Sequence, residues 1–322
     1  MTKQEKRKGR PPQDAPATSS TAELPDGCLT VDGSMLEGGG QILRNAAALA
    51  AICSTPVKVV NIRAGRKNPG LRPQHLAGLQ LVRDCCQGRL EGGWVNSTAM
   101  ALLPGSTLAG SYLADTGTAG SCSLLAQAAL PCLLMACVRS SQLTEQGNLT
   151  NVTISAFTAG KLQVNIAERM IETAQMCVRR AVGRDVPVDC QTNQETSRDA
   201  VGDGAGVLIV GQTDTGLLLG GTGIGERGKT SEAVAEEAAE TFCSALSSGA
   251  CADEWLQDQL IIFMALAQGT SKMLCQQPTL HTRTAMVVAE QMTSAHFTVT
   301  QQASSLWLIE CQGAALAARQ QT

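Results

Sequence analysis

Between Cys28 and Leu103 the chain alternates short β-rich runs with helix-length apolar stretches. Their order, strand–helix–strand–helix–strand–strand, limits the fold more than any other feature. Strands are expected at Cys28–Asp32, Val57–Ile62, Leu90–Val95 and Ala99–Leu103. Helices are expected from Gln41 to about Ile52 and, opened by Pro73, to about Cys86. Two helices on one face of a four-stranded sheet satisfy this order. Part of it returns near the end. A helix over Glu254–Leu266 and a loop precede a second helix, which holds His281 and runs to Met292. Strands at Phe297–Thr300 and Leu306–Ile309 follow, as a diverged internal repeat would have them. With 43% hydrophobic but only 2% aromatic residues, the core must be built from Leu, Val, Ile, Ala and Met.

The middle reads differently. A strand at Val152–Phe157 and a long amphipathic helix at Leu162–Val182 precede strands at Val186–Cys190, Gly206–Val210 and Leu217–Leu219. A helix at Ser231–Ser247 closes the segment. The predicted class is therefore α+β: repeated βαβαββ units with a smaller inserted βαββα domain. The expected division is a polar and basic tail over 1–26, repeat domain over 27–138 and 251–322, and inserted domain over 139–250. The tail lacks large apolar residues and is expected to be disordered. Its Lys6-Arg7-Lys8-Gly9-Arg10 run reads either as a solvated charge cluster or as a nuclear import signal. The first ten residues are polar and basic, and thirteen cysteines fall mostly singly. Both point to an intracellular chain with reduced thiols rather than a secreted one. The longest apolar run, residues 124–138, is interrupted by Gln127 and Pro131 and is too short to span a bilayer.

Four constellations could carry chemistry. Glu37-Gly38-Gly39-Gly40 ahead of a helix, with Arg44 in its first turns, offers free amides and a guanidinium to an anion. Glu37 is out of place there unless a divalent cation mediates. No acid lies between Glu37 and Asp84, whereas seven cations do: Arg44, Lys58, Arg63, Arg66, Lys67, Arg72 and Arg83. Arginines in a Gly/Pro-shaped loop suit a polyanion or nucleotide phosphate, although a solvated basic loop has the same composition. Gly223 to Thr230 matches the phosphate-loop pattern G-x-x-x-x-G-K-T, with Lys229 as its lysine. It comes late in the chain and runs into a glutamate-rich helix, which favours a coincidental βα turn. On the helix after Asp253, Trp255, Asp258 and Gln259 share one face, an arrangement able to stack a base and read its edge. Finally, His281 beside Arg283 near a helix start can keep a neutral imidazole where phosphate binds, the requirement for attack on phosphorus. A histidine capping or packing its own helix is the plainer alternative.

Taken together, six ordered segments resemble the RNA 3'-terminal phosphate cyclase family. They are Asp32 to Arg44, Ile62 to Arg66, Pro69 to His75, Thr118 to Ser121, Leu256 to Ile261 and Thr279 to Ala285. The resemblance implies ATP and a divalent metal (Mg or Mn) as cofactors and RNA 3' ends as substrate. It implies a reaction in which a histidine takes AMP, passes it to a 3'-phosphate, and the 2'-hydroxyl displaces it to close a 2',3'-cyclic phosphate. Carried over position by position, His281 stands as nucleophile, and Gln127, Asp258 and Gln259 as ATP contacts. Trp255 stands where the family usually has tyrosine, Glu37 lies near the metal, and Arg44, Arg63 and Arg66 lie at phosphate positions. Family habit adds a nuclear location. The chain departs from the pattern after Cys137, where the family's glycine-rich Arg-Gly-x-x-Pro-x-Gly-Gly-Gly segment is absent, together with a proline that packs on adenine. Two other readings remain beside this one: a non-catalytic RNA-binding or ribosome-assembly protein on the same fold, and a phosphate-loop NTPase centred on Lys229.

Overall fold

A computed structural model describes residues 27–118, 120–134 and 139–315. The basic run in the first 26 residues lies outside them. The first unit is β1 (Leu29–Asp32), α1 (Gly40–Cys53), β2 (Val57–Val60), α2 (Pro73–Cys85), β3 (Arg89–Glu91) and β4 (Met100–Leu103). Its sheet runs β1-β2-β4-β3, with β1 and β2 parallel and the other pairs antiparallel. Next come α3 (Cys122–Leu133) and the two-residue strand β5 (Gln142–Leu143). A third group is β6 (Leu149–Gly160), α4 (Asn165–Val182), β7 (Val188–Thr196), β8 (Gly204–Thr213), β9 (Leu218–Ile224) and α5 (Ser231–Ser248). The chain then finishes with α6 (Leu256–Leu266), β10 (Thr270–Cys275), α7 (Leu280–Met292), β11 (His296–Ala303) and β12 (Leu306–Gln312).

The repeat is explicit in the sheets. Read from β5, the second sheet runs β5-β10-β12-β11, the order of the first, and again only the first pair is parallel. The first strand of this copy lies before the 149–248 segment and its remaining elements after it. Strand β10 is the central member, although the sequence predicts only a loop there. Its alternation of Ser271, Met273 and Cys275 as buried residues is just one repeat of period two longer than chance, and Lys272 and Thr270 dilute it. Helix α3 packs on α1 and α2 yet belongs to neither four-stranded sheet.

Helices of both units share one core. Helix α1 is its axis, touching α2, α3, α7 and the sheet. The run Ala46 to Ala51 is buried all round, because only small side chains let so many neighbours approach one helix. Residues 149–248 have a separate core of Val152, Ile154, Met170, Ile209 and Phe242 with their neighbours, under the sheet β7-β6-β8-β9. Three strands, not two, separate the helices of this unit, so its order is βαβββα rather than the predicted βαββα. The twelve described cysteines are free thiols. No described helix is long and apolar enough to cross a membrane.

Candidate functional site

Three helices begin at the same place. Helix α1 starts at Gly40 behind Gly39, α6 at Leu256 behind Trp255, and α7 at Leu280 behind Thr279, whose hydroxyl accepts from Thr282 N–H. Each start carries the positive end of a helix dipole; at α6 the first amides are already taken up by Asp253, whose Oδ1 accepts from Trp255 and Leu256 N–H. Side chains from the three starts then meet. His281, the second residue of α7, brings Nδ1 to 2.6 Å from Oε2 of Glu37, just ahead of α1. Asp258, in the first turn of α6, interacts electrostatically with both His281 and Arg44 of α1.

Glu37 is the hub. One carboxylate oxygen contacts the Arg66 guanidinium. The other faces His281 at ion-pair distance, but without the alignment of a hydrogen bond, so Glu37 Oε2 and His281 Nδ1 are both buried atoms with no hydrogen-bond partner. A carboxylate beside Nδ1 favours the proton on that nitrogen and leaves Nε2 its lone pair. The ring is 45% exposed, so a ligand can reach it. The glycines ahead of α1 fit tightly around these groups. A Cβ on Gly39 would lie 2.9 Å from Glu37 Oε1, and one on Gly40 would lie 2.6 Å from His75 Nε2.

The basic loop forms the opposite wall. Arg72 donates to Asn96 Oδ1 at 3.1 Å, and its own backbone N–H donates to His75 Nδ1 at 3.2 Å. That bond leaves the His75 proton on Nε2, above the start of α1. Burial, reinforced by Arg63, Arg44 and Arg72, pushes the His75 pKa down to about 4, so the ring is neutral at physiological pH. Arg63 sits at φ 55°, a left-handed conformation uncommon for its type, and its Nε is buried without a partner. Burial and then repulsion from Arg66 and Arg72 lower its pKa, with Glu37 opposing. Cations held against one another in this way are stabilised by an anion placed among them. Arg44 is pinned by its own helix, donating to Gln41 Oε1, and its Nε is unpaired. Burial lowers its pKa, while Asp258 and Glu37 oppose the shift.

Beside this cluster, Gln127 of α3, Asp258 and Gln259 line one cavity of about 30 Å³ with Asn45, Leu130, Pro131, Ile262 and Phe263. Asp258 is buried, and burial raises its pKa against the pull of His281, Arg44 and a hydrogen bond from Gln127. Trp255 is 59% exposed, and its carbonyl accepts from Gln259 Nε2 at 2.9 Å.

The Gly223–Thr230 segment is elsewhere and does something else. It follows β9, an antiparallel edge strand, whereas a phosphate loop follows a parallel strand. Lys229 contacts Glu237 of the following helix, and Thr230 caps that helix by accepting from Ala233 N–H. The glycines have a packing role: a Cβ on Gly221 or Gly223 would lie 2.1 Å from the carbonyl of Ala238 or Val234 of α5.

Two elements of the cluster escaped the sequence reading. His75 falls in the helix that Pro73 opens but was not singled out as a site residue; it is in the first turn of α2, and the available signal was its position two residues after Pro73. Asn45 is, with Gln41, one of two buried polar residues of α1, each 1% exposed. His296 opens β11 and pairs with Glu290, away from the cluster.

The fold and these groups define a class: a repeated βαβαββ protein carrying a histidine–carboxylate–arginine cluster where helix starts converge. Residues 35–299 match the family model described as RNA 3'-terminal phosphate cyclase. The chain belongs to that family. It is 32% identical to the RNA 3'-terminal phosphate cyclase of Drosophila melanogaster, over 88% of this chain and 96% of the relative. It is 30% identical to that of Pyrobaculum neutrophilum, over 88% and 98%. A probable RNA 3'-terminal phosphate cyclase of Dictyostelium discoideum is 32% identical over 90% and 83%. The alignment to the Drosophila protein extends over 348 positions, more than the 322 residues here, so the relative has residues with no counterpart in this chain.

Proposed function

We propose that this protein uses ATP to convert an RNA 3'-terminal phosphate into a 2',3'-cyclic phosphate, with His281 as the group that becomes adenylated. One observation carries the reading: His281 keeps an open face while Glu37 stands at its Nδ1 and the Arg66 and Arg44 cations flank that carboxylate and Asp258. The Nε2 lone pair attacks the α-phosphorus of ATP, forming an N–P bond as the bond to pyrophosphate breaks. The AMP then passes to the RNA 3'-phosphate, whose oxygen displaces the imidazole. The adjacent 2'-hydroxyl expels AMP and closes the ring, needing no search because the ribose already holds it in place. Arg63, Arg66 and Arg44 supply positive charge where phosphate oxygens crowd.

Glu37 would hold a divalent metal. Its Oε2 is a buried carboxylate oxygen without a hydrogen bond, and a single carboxylate plus substrate phosphates is a common magnesium arrangement. No group of three or more His, Cys, Asp or Glu capable of caging a metal occurs among the described residues, which fits an ion shared with substrate. When bound, the metal supplies neutralisation of phosphate charge. The family habit and the basic run at Lys6–Arg10 support a nuclear location.

The test is incubation with α-labelled ATP and mapping of the modified peptide. Label on His281, lost in His281→Ala, is expected. RNA binding that persists with no adduct in the native chain selects the non-catalytic reading instead.

A further inference from the structure

Aromatic residues make up only 2% of the chain, so each one matters to a core this short of them, yet Trp94 is 50% exposed and Val95 beside it 40%. Trp94 stands in the loop between β3 and β4, and that loop is braced. Asn96 N–H donates to the Leu71 carbonyl at 2.7 Å, Leu71 N–H to the Ser97 carbonyl at 2.9 Å, and Ile62 N–H to the Thr98 carbonyl at 2.9 Å. A Cβ on Gly70 would collide with the Asn96 backbone, so the two loops lie main chain against main chain. The indole is thus fixed to the side of the basic loop.

Charge beside the ring is unbalanced. Among the described residues Arg63, Lys67 and Arg72 enter no ion pair. Arg72 donates instead to the neutral amide of Asn96, two residues from Trp94. The acids of this part of the chain are engaged elsewhere, Glu37 with Arg66 and His281, and Glu91 with Arg89. A flat ring open to water beside cations without counter-charges suits a single nucleic-acid strand, whose bases stack while its phosphates meet the charges. The surface also runs into the proposed reaction centre, because Arg66 of the same loop contacts the carboxylate that faces His281.

We infer that Trp94 is a stacking platform for a base of the RNA strand upstream of its 3'-phosphate, with Lys67 and Arg72 on neighbouring phosphates. The platform favours single-stranded ends, because a base inside a duplex is already stacked on its neighbours and offers no free face. It tolerates any base, since every base has a π-face. Trp94 is a positioning residue: it sets the register of the strand so that the terminal phosphate, and not an internal one, comes to His281. The inference rests on RNA being the substrate, as proposed above.

The experiment uses the full chain and single-stranded RNA ending in a 3'-phosphate, without ATP, so that binding is read apart from chemistry. In a series of strands one abasic nucleotide moves through the positions nearest the 3' end, and affinity is read by fluorescence anisotropy. With native protein, one position is expected to lose about tenfold when its base is missing and to accept all bases alike. Photoreactive thiouridine at that position should crosslink to the peptide that holds Trp94. Trp94→Ala should bind complete RNA about tenfold more weakly and no longer distinguish the abasic strand. Lys67→Ala should weaken every strand by a similar factor and leave the abasic ratio at its native value, because a phosphate contact does not depend on the base. Native affinity that is the same whichever base is missing overturns the inference, as does a crosslink to another part of the chain, and neither result needs a variant to fold. An abasic ratio that keeps its native value in folded Trp94→Ala overturns it too. Labelling of His281 by ATP is measured separately. Absence of label sinks the proposed reaction while the RNA series still decides the platform; label together with a base-indifferent series does the opposite.

Discussion

Two glycine-rich turns in this protein each lead into a helix, and they work in different ways. The turn at 37–40 is short, and its letters match no strict nucleotide motif. Around it, however, gather His281 and Asp258 from more than two hundred residues away, and Arg66 from the neighbouring loop. The turn at 223–230 matches a phosphate loop letter for letter, yet its lysine is taken up by Glu237 of its own helix and its first glycine, Gly223, makes room for that helix. What separates them is long-range convergence. Arg44, Arg63 and Arg66 lie near the single carboxylate of Glu37, so cations outnumber it there, whereas Lys229 is paired one to one with Glu237.

The comparison can be broken most directly at His281 and Lys229. His281→Ala should abolish enzyme–AMP formation, a loss of at least about a thousandfold. Lys229→Ala should leave adenylation within about twofold, since an exposed ion pair contributes roughly 0–1 kcal/mol to stability and nothing to the site. A loss of labelling in Lys229→Ala together with retention in His281→Ala would reverse the assignment of the two turns. Next in size, Glu37→Gln should lower adenylation on the order of a hundredfold and shift its dependence on magnesium concentration, with His281 still present. An unchanged magnesium titration would exclude Glu37 as the ligand.

The glycines sharpen the contrast through stability. Gly221→Ala places a methyl 2.1 Å from the Ala238 carbonyl, so α5 must move off its sheet. A loss of about 2–3 kcal/mol in urea unfolding is expected, with labelling of the folded fraction preserved. The smallest effect concerns His75. Its folded-state pKa, about 4, lies below the ordinary value of 6.5, so the unfolded chain binds the extra proton between those values. The stability that this group contributes is present above pH 6.5 and is lost as pH falls towards 4. His75→Gln should flatten that limb of the stability profile, and an unaltered limb would show that the ring is not the group titrating.

Much of the first unit was legible because its signals are local. Pro73 opens α2, small apolar residues fill α1, and β-branched Val57, Val59 and Val60 make a strand. Strand β10 was not legible, since six residues with a lysine and two hydroxyls carry too short an alternation to stand out. All three strands between α4 and α5 were legible as strands, and only the βαββα shorthand fell one short of them. Glu37, Arg66, His281 and Asp258 could each be nominated from their type and neighbours. That Glu37 lies between Arg66 and His281 could not, because nothing in the local pattern encodes a contact across more than two hundred residues. Asn45 shows the limit from the other side: in sequence it is one polar letter in a buried helix. Its free donor emerges only when Arg44, through Gln41, fixes which way the amide points.

Sequence alone determined most of the elements, the partial recurrence of their order and the inventory of reactive groups, because backbone preference and hydrophobic period act within a few residues. Tertiary structure alone decided which cations gather near Glu37, which imidazole nitrogen faces that carboxylate and which of two glycine turns collects side chains from distant parts of the chain. Those are properties of distance between parts of the chain that only the packed core brings together.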